Sequence, residues 1–324
     1  MLEKEIFNIN SSLDFEKLAL EVFRFQYENV AVYHNFCNLL GTKISEVNAV
    51  EKIPFLPIHF FKNHKIIAKG FSEEMIFSSS GTTGSSISKH FVSSLQLYEN
   101  SFEKAFINQY GKPSDYSILA LLPSYLEREG SSLIYMVEHL IEKTKNENSG
   151  FYLYETDALI EKLGVLEKNK QKTILIGVSY ALLDLIEKKN FHLKNTIVME
   201  TGGMKGRRRE MIKEELHEIL KRGFGVEKIH SEYGMTELLS QAYSVGDGIF
   251  ECPPWMKILT RDTEDALSYT FGKTGGINVI DLANLYSCSF IATQDLGKTN
   301  NDGTFEVLGR FDTSDIRGCN LMVL

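Results

Sequence analysis

Hydroxyl side chains are most concentrated in residues 78–89, which read SSSGTTGSSISK. Gly81 and Gly84 allow the backbone to turn so that its N–H groups point inward, and the serine and threonine hydroxyls add further donors. Such a loop is suited to surround an anion such as a phosphate. It is not a Walker A loop, because no Gly-Lys-Ser/Thr sequence closes it. The alternative is a plain Ser/Thr-rich loop without a ligand.

A second group of chemically active residues is the segment EYGMTE at 232–237, which follows a predicted strand. Tyr233 offers a flat face to a base, Thr236 offers a hydroxyl, and Glu237 offers a carboxylate that can hold Mg²⁺ through oxygen. The same residue types also suit an ordinary turn between a strand and a helix. Both interpretations stay open from the segment alone.

Two further candidates lie toward the end of the sequence, in QDLG at 294–297 and LGRFD at 308–312. Asp295 and Arg310 stand at predicted strand ends, where a carboxylate and a guanidinium can hold ribose hydroxyls. Each residue type is also common in turns.

The segment Gly177-Val178-Ser179-Tyr180-Ala181 follows a predicted strand and opens a predicted helix. It nearly satisfies the G-x-S-x-G pattern of the α/β-hydrolases, which would make Ser179 a nucleophile. Ala181 breaks the pattern, and Ser179 also suits the N-cap of the helix.

Alternating strands and helices must position these residues. Apolar runs at 117–122, 173–178 and 195–200 are each followed by a helical pattern, which predicts a mostly parallel sheet covered by helices. The third of these helices is predicted over 206–222, with Arg207, Arg208 and Arg209 in its first turn.

The pattern changes near residue 245. Short strands separated by glycine, aspartate and asparagine predict a small antiparallel β-barrel or sandwich. We therefore expect an α/β body over residues 1–245 and a β subdomain over residues 246–324.

Composition narrows the class of protein. The 324 residues are 43% hydrophobic with only 6 prolines, which excludes a disordered or collagen-like chain. The net charge of −8 gives no global attraction to nucleic acid. No signal peptide and no apolar run of about 18 residues is found, so we expect a cytoplasmic protein without a membrane span. The 4 cysteines are far apart, which favours neither disulfides nor a zinc site.

Taken together, the motifs resemble those of the adenylate-forming superfamily, which includes acyl-CoA synthetases, luciferases and nonribosomal adenylation domains. Within it, the chain resembles the acyl-protein synthetase family of the bacterial bioluminescence fatty acid reductase complex. The glycine-rich loop and YGMTE carry the superfamily resemblance, whereas PPWM and the terminal RGC carry the narrower one. Seven segments resemble the family in order: IPFLPIHFFK (53–62), SSSGTTG (78–84), TGGMKGR (201–207), SEYGMTE (231–237), ECPPWMKIL (251–259), TQDLG (293–297) and GRFDTSDIRGC (309–319).

The resemblance implies an α/β fold like the N-terminal domain of adenylate-forming enzymes, with mostly parallel sheets flanked by helices and a small β-barrel. It also implies a phosphate site. Ser80, Thr82 and Thr83 would hold the β- and γ-phosphates of ATP, Thr236 would contact the α-phosphate or the substrate carboxylate, and Glu237 would hold Mg²⁺.

For the nucleoside, the resemblance implies that Gly202 and Gly203 lie along the adenine and that Tyr233 stacks on it. Asp295 would take the ribose hydroxyls, with help from Arg310. Many relatives carry a lysine three positions after the last glycine of the loop. Here Lys89 is the nearest cation, and we expect it to act there.

Cys319 matches the acyl-accepting cysteine of the family. Arg317 lies two residues earlier, so in an extended tail both side chains would share one face and the guanidinium would favour the thiolate. Long relatives continue into a mobile C-terminal domain that supplies a catalytic lysine, and we expect this domain to be absent here.

The implied function is ATP-dependent activation of a carboxylic acid, expected to be a fatty acid, as acyl-AMP. The acyl group would then pass to Cys319 as a thioester and on to an acceptor protein such as an acyl reductase. Three alternatives stay open: an acyl-CoA ligase of the phenylacetate-CoA ligase type, a hydrolase or transferase that uses Ser179, and an inactive nucleotide-binding descendant.

Overall fold

Five parallel strands form one half of the central sheet in the computed structural model, which describes residues 2–79, 87–123, 129–202, 208–209 and 211–311. Their order in the sheet is β5-β4-β6-β7-β8. The strands are β4 (Ser117–Leu121), β5 (Gly150–Phe151), β6 (Thr173–Val178), β7 (Thr196–Thr201) and β8 (His230–Tyr233). Every residue of β4 and β6 is buried, as expected for strands covered by helices on both faces.

Antiparallel strands continue the same sheet from β8, in the order β9-β10-β15-β14-β13-β11-β12. The short strand β1 (Leu56–Pro57) pairs in parallel with β14. The strands are β9 (Ala242–Ser244), β10 (Ile249–Glu251), β11 (Met256–Arg261), β12 (Tyr269–Thr270), β13 (Gly275–Asp281), β14 (Phe290–Thr299) and β15 (Phe305–Arg310). The hydrogen-bonded path therefore runs across residue 245, and the division into two domains at this point stays a prediction.

A separate hairpin carries the glycine-rich loop. Strands β2 (Met75–Ser78) and β3 (Lys89–Val92) pair antiparallel, with Ser78 opposite Lys89. The ends of the hairpin thus hold the two sides of the loop together, while residues 80–86 lie outside the described residues.

The helices cover the sheet and its edges. Near the N-terminus, two helices are divided at Val30, whose backbone is extended. Serines cap several helices, because Ser11, Ser94 and Ser131 each accept a hydrogen bond from a backbone N–H of the first turn. The helices are α1 (Leu2–Ile6), α2 (Ser12–Asn29), α3 (Ala31–Leu39), α4 (Phe60–Asn63), α5 (Leu95–Tyr110), α6 (Ser132–Thr144), α7 (Thr156–Lys168), α8 (Ser179–Lys188) and α9 (Lys213–Phe224). Within the described ranges, none of them is both long and apolar enough to cross a membrane.

The start of the helix predicted over 206–222 is wrong. Helix α9 begins at Lys213, and Arg208 lies before it. The Arg208 guanidinium donates to Glu187 Oε1 at 2.6 Å and to Asp184 Oδ1 at 3.0 Å, so it joins this segment to α8. Carboxylates satisfy the cation there, whereas the N-terminal end of a helix would oppose its charge. Arg207 lies outside the described residues.

Helices α8 and α9 approach each other closely at a glycine. A Cβ at Gly223 would lie 2.6 Å from Ile186 Cβ, which is shorter than any ordinary contact. We expect Gly223→Ala to lower the free energy of unfolding by about 1–3 kcal/mol, because the two helices must move apart.

Gly164 of α7 offers a matched control, since a Cβ there would have no neighbour within 4 Å. Gly164→Ala is expected to stabilise the protein by up to about 1 kcal/mol through helix propensity. Denaturant unfolding of both variants checks the pair. Equal effects would contradict the close packing at Gly223.

Candidate active site

The turn that carries Thr236 and Glu237 is fixed by a buried carboxylate. Asp281, at the end of β13, accepts the backbone N–H groups of Leu239 at 2.7 Å and Ser240 at 3.0 Å, together with the Ser240 hydroxyl at 2.5 Å. Burial raises the pKa of Asp281 to about 6, although these hydrogen bonds oppose the shift. The carboxylate therefore sets the backbone path immediately after the YGMTE motif.

Two more buried side chains hold the same turn. His90 of β3 donates through Nδ1 to the Thr236 carbonyl at 2.9 Å. Asn284 donates through Nδ2 to the Glu237 carbonyl at 2.8 Å, and its Oδ1 lies 3.0 Å from His90 Nε2. The strand that leaves the glycine-rich loop is thus tied directly to the residues expected to hold a phosphate and a metal.

The base of the glycine-rich loop closes next to Glu237. The Ser79 N–H donates to the Ser88 carbonyl and the Ser88 N–H donates to Ser79 Oγ, both at 3.0 Å. The side chain of Ser88 is hydrogen-bonded to Glu237. Lys89 follows directly and is exposed, so its expected role stays a prediction. The remaining predicted phosphate ligands lie outside the described residues: Ser80, Thr82 and Thr83.

Glu237 has the environment of a single metal ligand. Its residue is 6% exposed, and burial raises its pKa while Ser88 and the charge of Arg310 lower it. Within the described part of the chain, no group of three or more His, Cys, Asp and Glu side chains could hold a metal. Mg²⁺ is commonly held by one or two carboxylates, with water and substrate phosphates completing its shell. A buried carboxylate beside the loop suits this use, and the expected role of Glu237 as a Mg²⁺ ligand stays a prediction.

Asp295 joins Tyr233 and Arg310. The Tyr233 hydroxyl donates to Asp295 Oδ2 at 2.9 Å, and Arg310 Nε donates to Asp295 Oδ1 at 2.9 Å. The Asp295 residue is 7% exposed, whereas 74% of the Arg310 side chain is exposed. A carboxylate has about four acceptor positions, and two of those of Asp295 are used by Tyr233 and Arg310. Asp295 can therefore accept further hydroxyl donors on the side of the exposed Arg310.

The ring of Tyr233 packs within an aromatic cluster. Its centroid lies 6.0 Å from that of Phe250 and 5.5 Å from that of Phe305, with the rings steeply inclined. The ring is thus held rigidly beside Asp295. Its expected stacking on adenine stays a prediction.

Gly202 ends β7 in a left-handed conformation with φ 66°, which suits glycine. Ser179 donates to the Gly202 carbonyl at 2.6 Å and approaches Glu200 Oε2 at 3.4 Å. The helix cap is Val178, so the predicted N-cap role of Ser179 is wrong by one residue. Gly203 lies outside the described residues.

The surroundings of Ser179 do not form a Ser-His-acid triad among the described residues. His217 contacts the other oxygen of Glu200 at 3.5 Å, so the carboxylate lies between the serine and the histidine. A hydrolase needs the histidine beside the serine hydroxyl. The arrangement instead uses Ser179 to hold the backbone of Gly202.

A cavity of about 420 Å³ opens between the sheet and the helices α5 and α6. Gly202 and Thr236 line one side, and Tyr98 and Ser132 line another. Glu232 also lines the cavity; it accepts a hydrogen bond from the Thr201 hydroxyl at 2.5 Å. The sequence offered no role for Glu232, although it stands in the motif that was singled out.

Comparison with known proteins found similarity only at the level of structure. No protein-family model matches the sequence, and no curated protein was found as a relative. The structure is similar to that of 2-hydroxyisobutyryl-CoA ligase in complex with 2-HIB-AMP and CoA, with a TM-score of 0.68 and 13% identity over 94% of this chain and 72% of that chain. The same ligase in its postadenylation state gives a TM-score of 0.69 and 14% identity, covering 94% of this chain and 69% of that chain. For ATP-bound MatB from Rhodopseudomonas palustris, the TM-score is 0.56 and the sequence identity is 18%. The comparison covers 75% of this chain and 49% of that chain.

These similarities establish the fold. The chain has the α/β fold of the N-terminal domain of adenylate-forming enzymes, which confirms the fold class expected from the sequence. It spans less than the full length of each of these proteins.

The buried Glu232 predicts a pH dependence of stability. Burial raises its pKa to about 7, the neighbouring Glu200 adds to this, and Thr201 and Lys213 oppose it. Because the pKa is higher in the folded state than in the unfolded state, stability is retained at low pH and lost as the pH rises through about 7. Glu232→Gln cannot titrate and should not show this loss. The free energy of unfolding of the variant, relative to that of the unmodified protein, should therefore rise by about 3 kcal/mol from about pH 5 to about pH 8.5.

Chemical unfolding across this pH range measures the difference. Burial raises the pKa values of the nearby Tyr98 and Tyr243 well above their usual value, so neither tyrosine titrates in this range. Glu227→Gln, at an exposed position, should follow the unmodified protein at every pH. Parallel curves for Glu232→Gln and the unmodified protein would contradict the expected shift.

Proposed function

We propose that this chain activates a carboxylic acid with ATP, forming an acyl-AMP and releasing pyrophosphate. The observation that carries the proposal is the convergence of three separated segments around Glu237. The base of the loop at Ser88 contacts Glu237, while Asp295 and Arg310 lie close enough to act on the pKa of Glu237. The fold shared with ligases that bind acyl-AMP and ATP supports this interpretation.

The chemistry requires charge neutralisation more than a strong base. A carboxylate oxygen of the acid attacks the α-phosphorus of ATP, the bond to the β-phosphate oxygen breaks, and pyrophosphate leaves with the electron pair. The result is a mixed anhydride whose leaving group is AMP instead of oxide. Positioned donors and cations stabilise the charge that spreads over the phosphoryl oxygens.

The position of each residue indicates the role that it would have in this reaction. The hydroxyl-rich loop would surround the β- and γ-phosphates, and Thr236 would contact the reacting groups at the cavity. Mg²⁺, held in part by Glu237, would supply additional positive charge when the nucleotide is bound. Asp295, fixed by Tyr233 and Arg310, would orient the ribose.

The acyl acceptor is the finer part of the proposal. We propose transfer to Cys319, where the thiolate would attack the acyl carbon and AMP would leave, followed by transfer to an acceptor protein such as an acyl reductase. Cys319 lies outside the described residues. Burial raises the pKa values of the other three thiols, Cys37, Cys252 and Cys288, which makes each a poor nucleophile.

CoA is the second candidate acceptor. The solved structure of 2-hydroxyisobutyryl-CoA ligase contains both its acyl-AMP and CoA, and this chain covers 72% of that protein. With CoA, the same acyl-AMP would yield free acyl-CoA and AMP. Formation of acyl-CoA from added CoA therefore separates the two acceptors.

The metal role of Glu237 gives a direct test of acid activation. Glu237→Gln keeps the size of the side chain but removes its charge, so we expect acid-dependent ATP–pyrophosphate exchange to fall about tenfold or more. The variant should also need a higher Mg²⁺ concentration for half-maximal exchange. Glu227→Gln is the matched control at an exposed position and should keep its exchange activity. Undiminished exchange by Glu237→Gln would refute the role.

The acceptor role of Cys319 is tested separately. Cys319→Ser should leave ATP–pyrophosphate exchange intact, because acid activation precedes acyl transfer. It should abolish labelling of the protein by radioactive acid that neutral hydroxylamine removes, since that reagent cleaves thioesters. Cys37→Ser is the control at a buried thiol and should keep the label. Persistent hydroxylamine-sensitive labelling of Cys319→Ser would place the acceptor at another residue.

A further inference from the structure

One wall of the 420 Å³ cavity is acidic. Glu232 lines it, and strand alternation on β8 directs this side chain away from the face that carries Ser231 and Tyr233. A Cβ at Gly234 would lie 2.5 Å from Glu232 Oε1. The absence of a side chain at position 234 therefore allows the Glu232 carboxylate to pack directly against the backbone there.

The Glu232 carboxylate has no cationic partner within the ranges that the structure describes. Thr201 donates to Oε2 at 2.5 Å, but no salt bridge is formed. Among the described residues, Lys213 is the cation whose charge acts on Glu232, and it is held by Glu200 at 2.5 Å. Burying a carboxylate without a partner is costly, so a ligand donor at Oε1 would stabilise it.

Gln241 adds a second acceptor to the same cavity. The residue is 4% exposed, and its Oε1 is buried with no hydrogen-bond partner in the described part of the chain. Its Cγ would lie 3.3 Å from a Cβ at Gly234, so Gln241 and Glu232 both pack beside this glycine. Buried polar atoms in proteins are nearly always hydrogen-bonded, and an unpaired one therefore indicates a missing partner.

Apolar side chains surround these two acceptors. Leu133, Met136 and Leu153 line the cavity together with Glu232 and Gln241. A suitable ligand would thus place a short carbon skeleton against the apolar side chains and direct a donor toward the two oxygens. Thr236, on the nucleotide side of the cavity, would face the carboxylate end of such a ligand.

We infer that the acid activated here carries a hydrogen-bond-donating group, a hydroxyl or an ammonium, that meets Glu232 and Gln241. The inference rests on the proposed function. An unsubstituted alkanoate of the same length would leave Gln241 Oε1 without a partner and would offer no donor to Glu232, whose one hydrogen bond comes from Thr201 among the described residues. Sites built for a polar substrate group reject analogues that lack it far more strongly than apolar pockets reject a missing methylene.

ATP–pyrophosphate exchange with matched acids tests this substrate class. The panel consists of butanoate, pentanoate and hexanoate, each compared with its hydroxy and amino derivatives. For the unmodified protein, we expect at least one derivative to support exchange about tenfold or more above its parent alkanoate. Glu232→Leu should invert this preference, because an apolar side chain then faces the alkyl chain. Glu227→Gln should keep it.

Two further variants guard against a folding defect. Gln241→Leu removes the second acceptor without touching a charge, and it should lower the preference in the same direction. Glu232→Gln keeps an acceptor oxygen but no charge, so it should reduce exchange with ammonium acids more than with hydroxy acids. Thermal unfolding confirms that each variant is folded before exchange is measured.

The outcomes separate the two proposals. Equal or faster exchange with the alkanoates, unchanged by Glu232→Leu, would overturn the substrate class and leave acid activation standing. Absence of exchange with every acid of the panel would also overturn the substrate class. Acid activation itself would fall only if long-chain and aromatic acids gave no exchange either.

Discussion

The candidate site depends on one constraint, which is that the polar atoms of the buried turn after β8 must all be hydrogen-bonded. Asp281 accepts two backbone N–H groups of this turn, and His90 and Asn284 occupy its carbonyls. Two distant parts of the chain, strand β3 and the segment 281–284, therefore meet at the five consecutive residues 236–240. Because unsatisfied groups there would each be costly, the turn has little freedom, and Thr236 and Glu237 are held at the edge of the cavity.

The neighbouring carboxylates of Glu200 and Glu232 have different pKa values because their surroundings differ. Burial alone would raise the pKa of Glu200, but Lys213 and hydrogen bonds from His217 and Ser231 lower it to about 2. Glu232 lacks such a cation among the described residues, and its pKa is raised to about 7. Glu200 thus joins β7 to α9, whereas Glu232 lines a cavity. Separated pKa values of this kind often mark functional positions.

The sequence predicted those features that depend on local pattern. Apolar runs located β4, β6 and β7, and the change of pattern near residue 245 located the antiparallel strands. The start of α9 was wrong because the charged residues before it fitted a helical pattern, while Arg208 is satisfied by carboxylates of α8. The roles of His90 and Asp281 could not be predicted, since their partners lie far away along the chain. An aspartate inside the apolar segment GINVIDL was the one available signal.

In the proposed function, the reaction and the choice of acid would depend on different sets of residues. The resemblance to adenylate-forming enzymes comes from segments expected around the phosphates and the ribose, where the chemistry is common to many acids. Part of the cavity wall comes from α5 and α6, which those motifs do not specify, and the rest includes motif residues such as Gly202, Glu232 and Thr236. Glu232 belongs both to the motif, where it precedes Tyr233, and to the wall of the cavity. The resemblance implies a fatty acid, whereas the contacts proposed for Glu232 and Gln241 in the cavity would favour a polar acid.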